Sequence, residues 1–419
     1  MPFAFARSVL GYGASVSGGG VANWSATPTE SKIYASNAGA GDFFGQSVSI
    51  NSDGTYAIIG ANREDSGAFD AGSAYIFTRS GSTWTEQQQI TASDAESTDL
   101  FGDAVAISGD GSYVIVGAPF EDTVGSAAGS AYIFTRSGST WTQQQKIQSS
   151  DIQADDRFGD SVSISSDGSY AIIGARQENS KRGAAYIFTR SGSTWTQQAK
   201  LTASDAQAND EFSWSVSMSS DGSYAIVGAL REDTGGTDAG AAYIFTRSGS
   251  TWTQQQKILS SDIETGDRFG ISVSINSDGT YAIVGAYFEA TGGSNTGSAY
   301  IFTRSGSTWT QQQKIQASDA AAGDRFGQTV SINGDATYLI ASAQYEVSEG
   351  TDTGAAYIFS RSGSTWTQER KIRASDATAN VRFSSDVSMS ADGNYAIVGA
   401  IFEDTQATNA GAAYIYEAG

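Results

Sequence analysis

The residues best equipped for chemistry are carboxylates, and they recur at regular intervals. Asp151 and Asp156, Asp262 and Asp267, and Asp319 and Asp324 each stand five residues apart, in segments of the form Ser-Asp-x-x-x-x-Asp-Arg-Phe. A second series comprises Glu64, Glu121, Glu178, Glu232, Glu289, Glu346 and Glu403, four of them followed by Asp65, Asp122, Asp233 and Asp404. A ring of carboxylates would focus a negative field on cations or on a basic partner. Paired carboxylates can also hydrolyse glycosidic bonds. That reaction needs two groups in different environments, and near-identical copies supply similar ones, so catalysis is not expected. The plainer reading is a solvated acidic face whose Asp and Ser side chains cap loop amides.

Other chemistries lack their parts. There is no histidine, so the commonest general base and metal ligand near neutral pH is missing. There is no cysteine, which excludes disulfides and thiolate metal sites. No P-loop, dinucleotide fingerprint, nucleophile elbow or zinc spacing occurs.

The elements that must carry these carboxylates are repeats. Phe44, Phe101, Phe158, Phe212, Phe269, Phe326 and Phe383 are spaced by 57, 57, 54, 57, 57 and 57 residues. Each opens a stretch such as Phe44-Gly45-Gln46-Ser47-Val48-Ser49-Ile50, where large residues alternate with Gly or Ser as in a strand. An Asp-Gly turn follows (Asp53-Gly54, and Asp335-Ala336 in the sixth copy), which predicts a tight hairpin with positive φ at both turn residues. The second stretch, as in Tyr281 to Ala286, is apolar on both parities and should be buried on both faces. The third, Ala-Tyr-Ile-Phe-Thr-Arg, turns through Ser-Gly-Ser into a fourth, Trp-Thr-Gln-Gln-Gln-Lys-Ile, whose glutamines suggest a solvated outer strand.

Four antiparallel strands per repeat of this length describe a propeller blade. The predicted fold is all-β, a seven-bladed propeller over residues 23–419 preceded by an arm at 1–22. The small residues of the first strand suit the narrow centre and the tryptophan of the fourth suits the rim. The last blade lacks a fourth strand, and the segment from Asn23-Trp24 to Lys32-Ile33 has no blade of its own. Pairing them closes the ring and removes two exposed edges. Turns after the first and third strands then lie on one face. The links after the second and fourth, which carry the carboxylates, lie on the other.

The net charge of -21 disfavours nucleic acid as a partner. No apolar run reaches the ~20 residues that span a bilayer, so membrane insertion is not expected. Met1 to Leu10 is a poor secretory signal, since Arg7 interrupts its apolar part. Phe3, Phe5, Leu10 and Tyr12 make the arm a candidate for docking on a partner, by strand addition for example.

Phe101-Gly102, then Gly117-Ala118-Pro119, then Gly-x-Ala-Tyr-Ile-Phe resemble the FG-GAP repeat of integrin alpha-chain propellers, over residues 24–416. The resemblance implies a seven-bladed propeller used in adhesion or ligand recognition. It also implies calcium held in the first hairpins. Here those hairpins read Asn51-Ser52-Asp53-Gly54-Thr55, with one carboxylate, so no calcium or other cofactor is expected there. Serines replace glycine at Ser213 and Ser384, and Ser342-Ala343 stands for Gly-Ala. The expected role is a non-enzymatic recognition or scaffold module on a cell surface or particle, meeting a protein or surface partner. The alternatives are a virion component docked through its arm and, less favoured, a carboxylate-based carbohydrate-active enzyme.

Overall fold

A computed structural model describes residues 22–347 and 352–419. Seven four-stranded antiparallel sheets form the seven blades, and in six of them the strands follow chain order. Blade 1 comprises Phe44–Ile50, Tyr56–Ala61, Ser73–Ser80 and Thr83–Ile90. Blade 7 comprises Val387–Met389, Tyr395–Ala400, Ala412–Glu417 and, from the other end of the chain, Thr29–Ile33. Its closing strands pair from Thr29 against Glu417 to Ile33 against Ala413. Tyr414 therefore lies opposite Lys32, not opposite Trp24. Trp24 instead packs near blades 6 and 7, its indole N–H donating to the Gly393 carbonyl at 2.8 Å.

Each blade is organised on its first phenylalanine. Phe44 meets Tyr75 and Phe77 edge-on, with ring centroids 5.5 and 6.1 Å apart. Phe101 and Phe158 meet the corresponding Tyr and Phe rings of their own blades at similar distances. The second strand is buried from its second residue onward, as its sequence requires.

Blades are joined by three kinds of polar contact. Serines of the first strands accept amides of the next blade: Val105 N–H meets Ser47 Oγ at 3.2 Å and Ile107 N–H meets Ser49 Oγ at 3.2 Å. Those small residues thus bond as well as fit. At the channel end on the Asp-Gly side, one backbone hydrogen bond crosses every interface. Ser52 N–H reaches Gly109, Asp110 reaches Ser166, and Ser166, Ser220, Ser277 and Gly334 each reach the next blade, until Asp392 N–H returns to Ser52. At the rim, the glutamines are half-buried rather than solvated, because they clamp the next tryptophan. Gln88 accepts from Trp141 N–H and donates to its carbonyl, both at 2.8 Å, while Gln87 accepts the indole N–H at 2.9 Å.

The glycines of the motif serve the same interfaces. A β-carbon on Gly60 would lie 1.9 Å from the carbonyl oxygen of Gly102 in the next blade. Ser213 takes the glycine position with φ 71°. Its hydroxyl offsets that strain by donating to Ala184 O at 2.7 Å and accepting from Ala175 N–H at 3.1 Å.

The Asp-Gly turn differs from the expected one. Only glycine has positive φ (64° at Gly54), and Asp53 does not. Gly54 N–H bonds Asn51 O, and Asn51 N–H bonds Tyr56 O, so the loop is longer than two residues. Asp53 accepts from the Thr55 amide at 3.1 Å and hydroxyl at 2.6 Å. Its role is side-chain capping.

Candidate functional site

The repeated glutamates turn inward. Glu64, Glu121, Glu178, Glu232, Glu289, Glu346 and Glu403 lie in the links after the second strands, and all but Glu178 are buried. Glu121 Oε2 accepts from Ser130 at 2.7 Å, and Oε1 takes the Thr123 amide at 2.8 Å and Lys146 at 2.8 Å. Burial pushes this carboxyl up, but Lys146, Thr123 and Ser130 outweigh it and hold the carboxyl below its ordinary range. Lys146 also holds Asp94 at 2.7 Å. Glu289 with Lys314, Glu232 with Lys257, Glu178 with Lys200, Glu346 with Lys371 and Glu403 with Lys32 repeat the pairing.

The aspartate pairs divide into two roles. Asp151, Asp262 and Asp319 hold Lys200, Lys314 and Lys371 and remain exposed. Asp156, Asp267 and Asp324 are buried and accept the amides of Gln153, Glu264 and Ala321, each at 2.7 Å. Burial raises all three carboxyls against that amide bond, those of Asp156 and Asp267 to about 6. The two series therefore form internal clamps, one per blade, and not a ring of free carboxylates.

The first hairpins do not fit the calcium that the resemblance implies. Asp53 Oδ1 already takes donors from Asn51 and Thr55, and the hairpin sequence Asn51-Ser52-Asp53-Gly54-Thr55 supplies one carboxylate. Among the described residues, no three acidic side chains converge to hold a metal ion.

What breaks the sevenfold pattern lies at the channel mouth on the link face. The residue two after each landmark phenylalanine varies: Gln46, Asp103, Asp160, Trp214, Ile271, Gln328 and Ser385. All but Gln328 line the channel. Over blades 1 to 4 they open into a cavity of about 520 Å³, with Asn62, Arg157 and Arg176 in its wall. Asn62 donates to Asp103 at 2.7 Å, and Arg176 lies 2.8 Å from Asp160 and stacks on Trp214, its guanidinium carbon 4.2 Å from the ring centroid. Burial raises Asp160 to about 7, with Arg176 opposing and Asp103 adding to the rise. Burial raises Asp103 too.

The family model described as the FG-GAP repeat matches residues 28–77, 84–134, 141–188, 195–245, 252–302, 309–359 and 366–416. The chain belongs to the FG-GAP repeat family. Each match spans a link: the first begins just before an outer strand and the others at an outer strand's second residue, and all end in the third strand of the following blade. A search of the curated proteins finds no match. No helix among the described residues is long and apolar enough to cross a membrane.

In this FG-GAP propeller the channel-mouth residues were not singled out from the sequence. The available signal was their failure to repeat: copied positions build blades, and an uncopied position facing the axis is free to serve a ligand. The candidate arm residues Phe3, Phe5, Leu10 and Tyr12 lie outside the described residues. Ala22, the first described residue, is buried, and its carbonyl accepts from the Tyr338 hydroxyl at 2.6 Å.

Proposed function

We propose that this FG-GAP propeller is a non-catalytic recognition module that engages a protein or surface partner through its link face. The observation that carries this is the difference between the two faces. One presents near-identical Asp-Gly and Ser-Gly-Ser turns, tied down by the third-strand arginines. Arg79, for example, donates to Gly54 O at 2.7 Å and Gly81 O at 2.9 Å. The other face holds the variation. Phe69, Val124 and Val347, the large hydrophobic side chains most exposed among the described residues, all stand in links after second strands. Apolar tips on a rigid, water-facing frame are what a binding surface needs. The internal clamps support a non-catalytic reading, since they leave the repeated carboxylates occupied.

The test places a photo-crosslinking residue at Phe69 or Val124, and at Ser307 as the opposite-face control, in protein returned to its source material. Crosslinks to one partner from Phe69 and Val124, and none from Ser307, support the reading. A partner captured from Ser307 alone overturns it. Whether that partner belongs to a cell surface or to a particle such as a virion decides between the two settings.

A further inference from the structure

The channel mouth is chemically unlike the rest of this acidic chain. Arginines and aromatic rings alternate around it. Arg63 lies over Phe43, which meets Phe402 edge-on at 5.4 Å. Arg382 spans Phe402 and Tyr345, each 4.9 Å away. Arg325 spans Tyr345 at 4.0 Å and Phe288 at 5.2 Å, and Arg268 lies 5.1 Å over Phe288. On the remaining side, Arg157 stacks on Phe120 at 4.5 Å and Arg176 on Trp214. Stacking fixes the guanidinium planes while leaving their edges to donate.

Within this rim the cavity holds buried polar atoms without hydrogen-bond partners. The Asp160 side chain is only 6% exposed, and its Oδ2 is ion-paired to Arg176 Nε at 2.8 Å without an aligned hydrogen bond. Asn62 is 6% exposed, and its Oδ1 has no partner. Leaving a buried acceptor unpaired destabilises the site, and a bound donor relieves that. Both atoms are acceptors, and Asn62 Oδ1 is without a partner, so they suit ligand donors such as hydroxyls. The guanidinium edges call for an anion. Aromatic walls suit the apolar faces of a ring.

We infer that this cavity, built by Gln46, Asn62, Asp103, Asp160, Arg176 and Trp214, binds a saccharide carrying an acidic group. Its hydroxyls donate to Asp160 and Asn62, and its carboxylate or sulfate meets the arginine rim. The cavity volume of about 520 Å³ admits one or two sugar rings. This goes beyond the link-face reading. The loop-tip variants Phe69→Ser and Val124→Ser keep saccharide binding, so either idea can fail alone.

Calorimetry on the full chain tests it, with digalacturonate, sialyllactose and a sulfated disaccharide as probes. The neutral counterparts galactobiose and lactose, and inorganic sulfate, serve as comparisons. At least one acidic sugar binds at about millimolar Kd or tighter, at least about tenfold more tightly than its neutral counterpart. Inorganic sulfate at the same concentration does not displace it. Arg176→Gln and Asp160→Asn each weaken binding about tenfold. Trp214→Ala, which removes no charge, does the same if either polar variant fails to fold. No binding by any acidic sugar, equal binding of the neutral sugar, displacement by sulfate alone, or cleavage of the bound sugar would each overturn the proposal.

Discussion

Asn37 and Gln89 stand in blade 1 where Asp94 and Lys146 stand in blade 2, and the two positions change together. In blade 1, Asn37 donates to Glu64 at 2.9 Å and Gln89 donates to it at 3.1 Å. In blade 2, Lys146 holds both Asp94 and Glu121. Each exchange removes one negative and one positive charge, so the balance around the buried glutamate is kept. The same face can therefore be built with or without the ion pair.

That exchange gives a double-mutant cycle. Lys146→Gln alone leaves Glu121 and Asp94 without their cation and should cost about 1–3 kcal/mol. Adding Asp94→Asn recreates the blade 1 arrangement and should restore most of the loss. Denaturant unfolding of the two single variants and the double variant measures the coupling. Additive losses would show that the clamp does not act as a unit.

A rim latch that is complete at four interfaces is incomplete between blades 3 and 4. Gln145, Gln256 and Gln313 bond the amide and carbonyl of Trp195, Trp309 and Trp366 as Gln88 does for Trp141. Ala199 occupies that position in blade 3, and Trp252 keeps only the indole bond to Gln198 at 3.0 Å. Ala199→Gln should add about 1 kcal/mol, and Gln313→Ala should lose a similar amount. Shifts of the denaturation midpoint in opposite directions check this pair, and a gain from neither insertion nor a loss from deletion would discard the latch.

Much of this was legible in the sequence, for identifiable reasons. Repetition fixes blade number, and the split outer strand fixes closure, because both follow from counting strands. The direction of long side chains does not follow. Gln88 and Glu121 read as solvated because their types are polar, whereas interblade and interstrand partners draw them inward. The Asn37 and Gln89 exchange was the clue to that clamp. At Asp53 the dipeptide suggested a two-residue turn, but a side-chain cap extends the loop. The site at Asp103 and Asp160 escaped notice because its residues come from different blades and share no local motif.

Acidification should first stabilise this protein. Burial raises Asp99, Asp156, Asp210, Asp267 and Asp386 to about 6 and Asp160 to about 7, from an ordinary value of 3.8. Each binds its proton more readily when folded, so this stabilisation grows as pH falls from about 7 toward 4. Asp151, Asp262 and Asp319 behave oppositely: despite burial, their lysines hold them low, so their contribution is lost as pH falls below the unfolded value of 3.8. Urea midpoints should be higher at about pH 5 than at about pH 7.5, then fall below about pH 3.5. A steady decline from about pH 7.5 downward would contradict the assignment.

Closure by Thr29–Ile33 makes the sharpest prediction for the fold. The strand gives Ala412–Glu417 its outer partner and carries Lys32, which holds Asp376 at 2.5 Å and Glu403 at 2.8 Å. Deleting residues 23–33 should expose that edge, leave Glu403 buried without its cation, and lower the denaturation midpoint sharply. Hydrogen exchange should rise first in 412–417 and then at both flanking interfaces, since each blade leans on its neighbours. Loss of stability alone could come from any damaged blade, so a second chain is needed. It joins residue 419 to residue 22 through a short Gly/Ser linker and opens the chain in the Ser-Gly-Ser turn at Gly249, between the third and fourth strands of blade 4. This chain moves the split from blade 7 to blade 4 and keeps every strand pair among the described residues. It should fold with a midpoint near that of the parent, whereas a permutant that fails to fold, beside a deletion that does no harm, would mean that the termini do not close the ring.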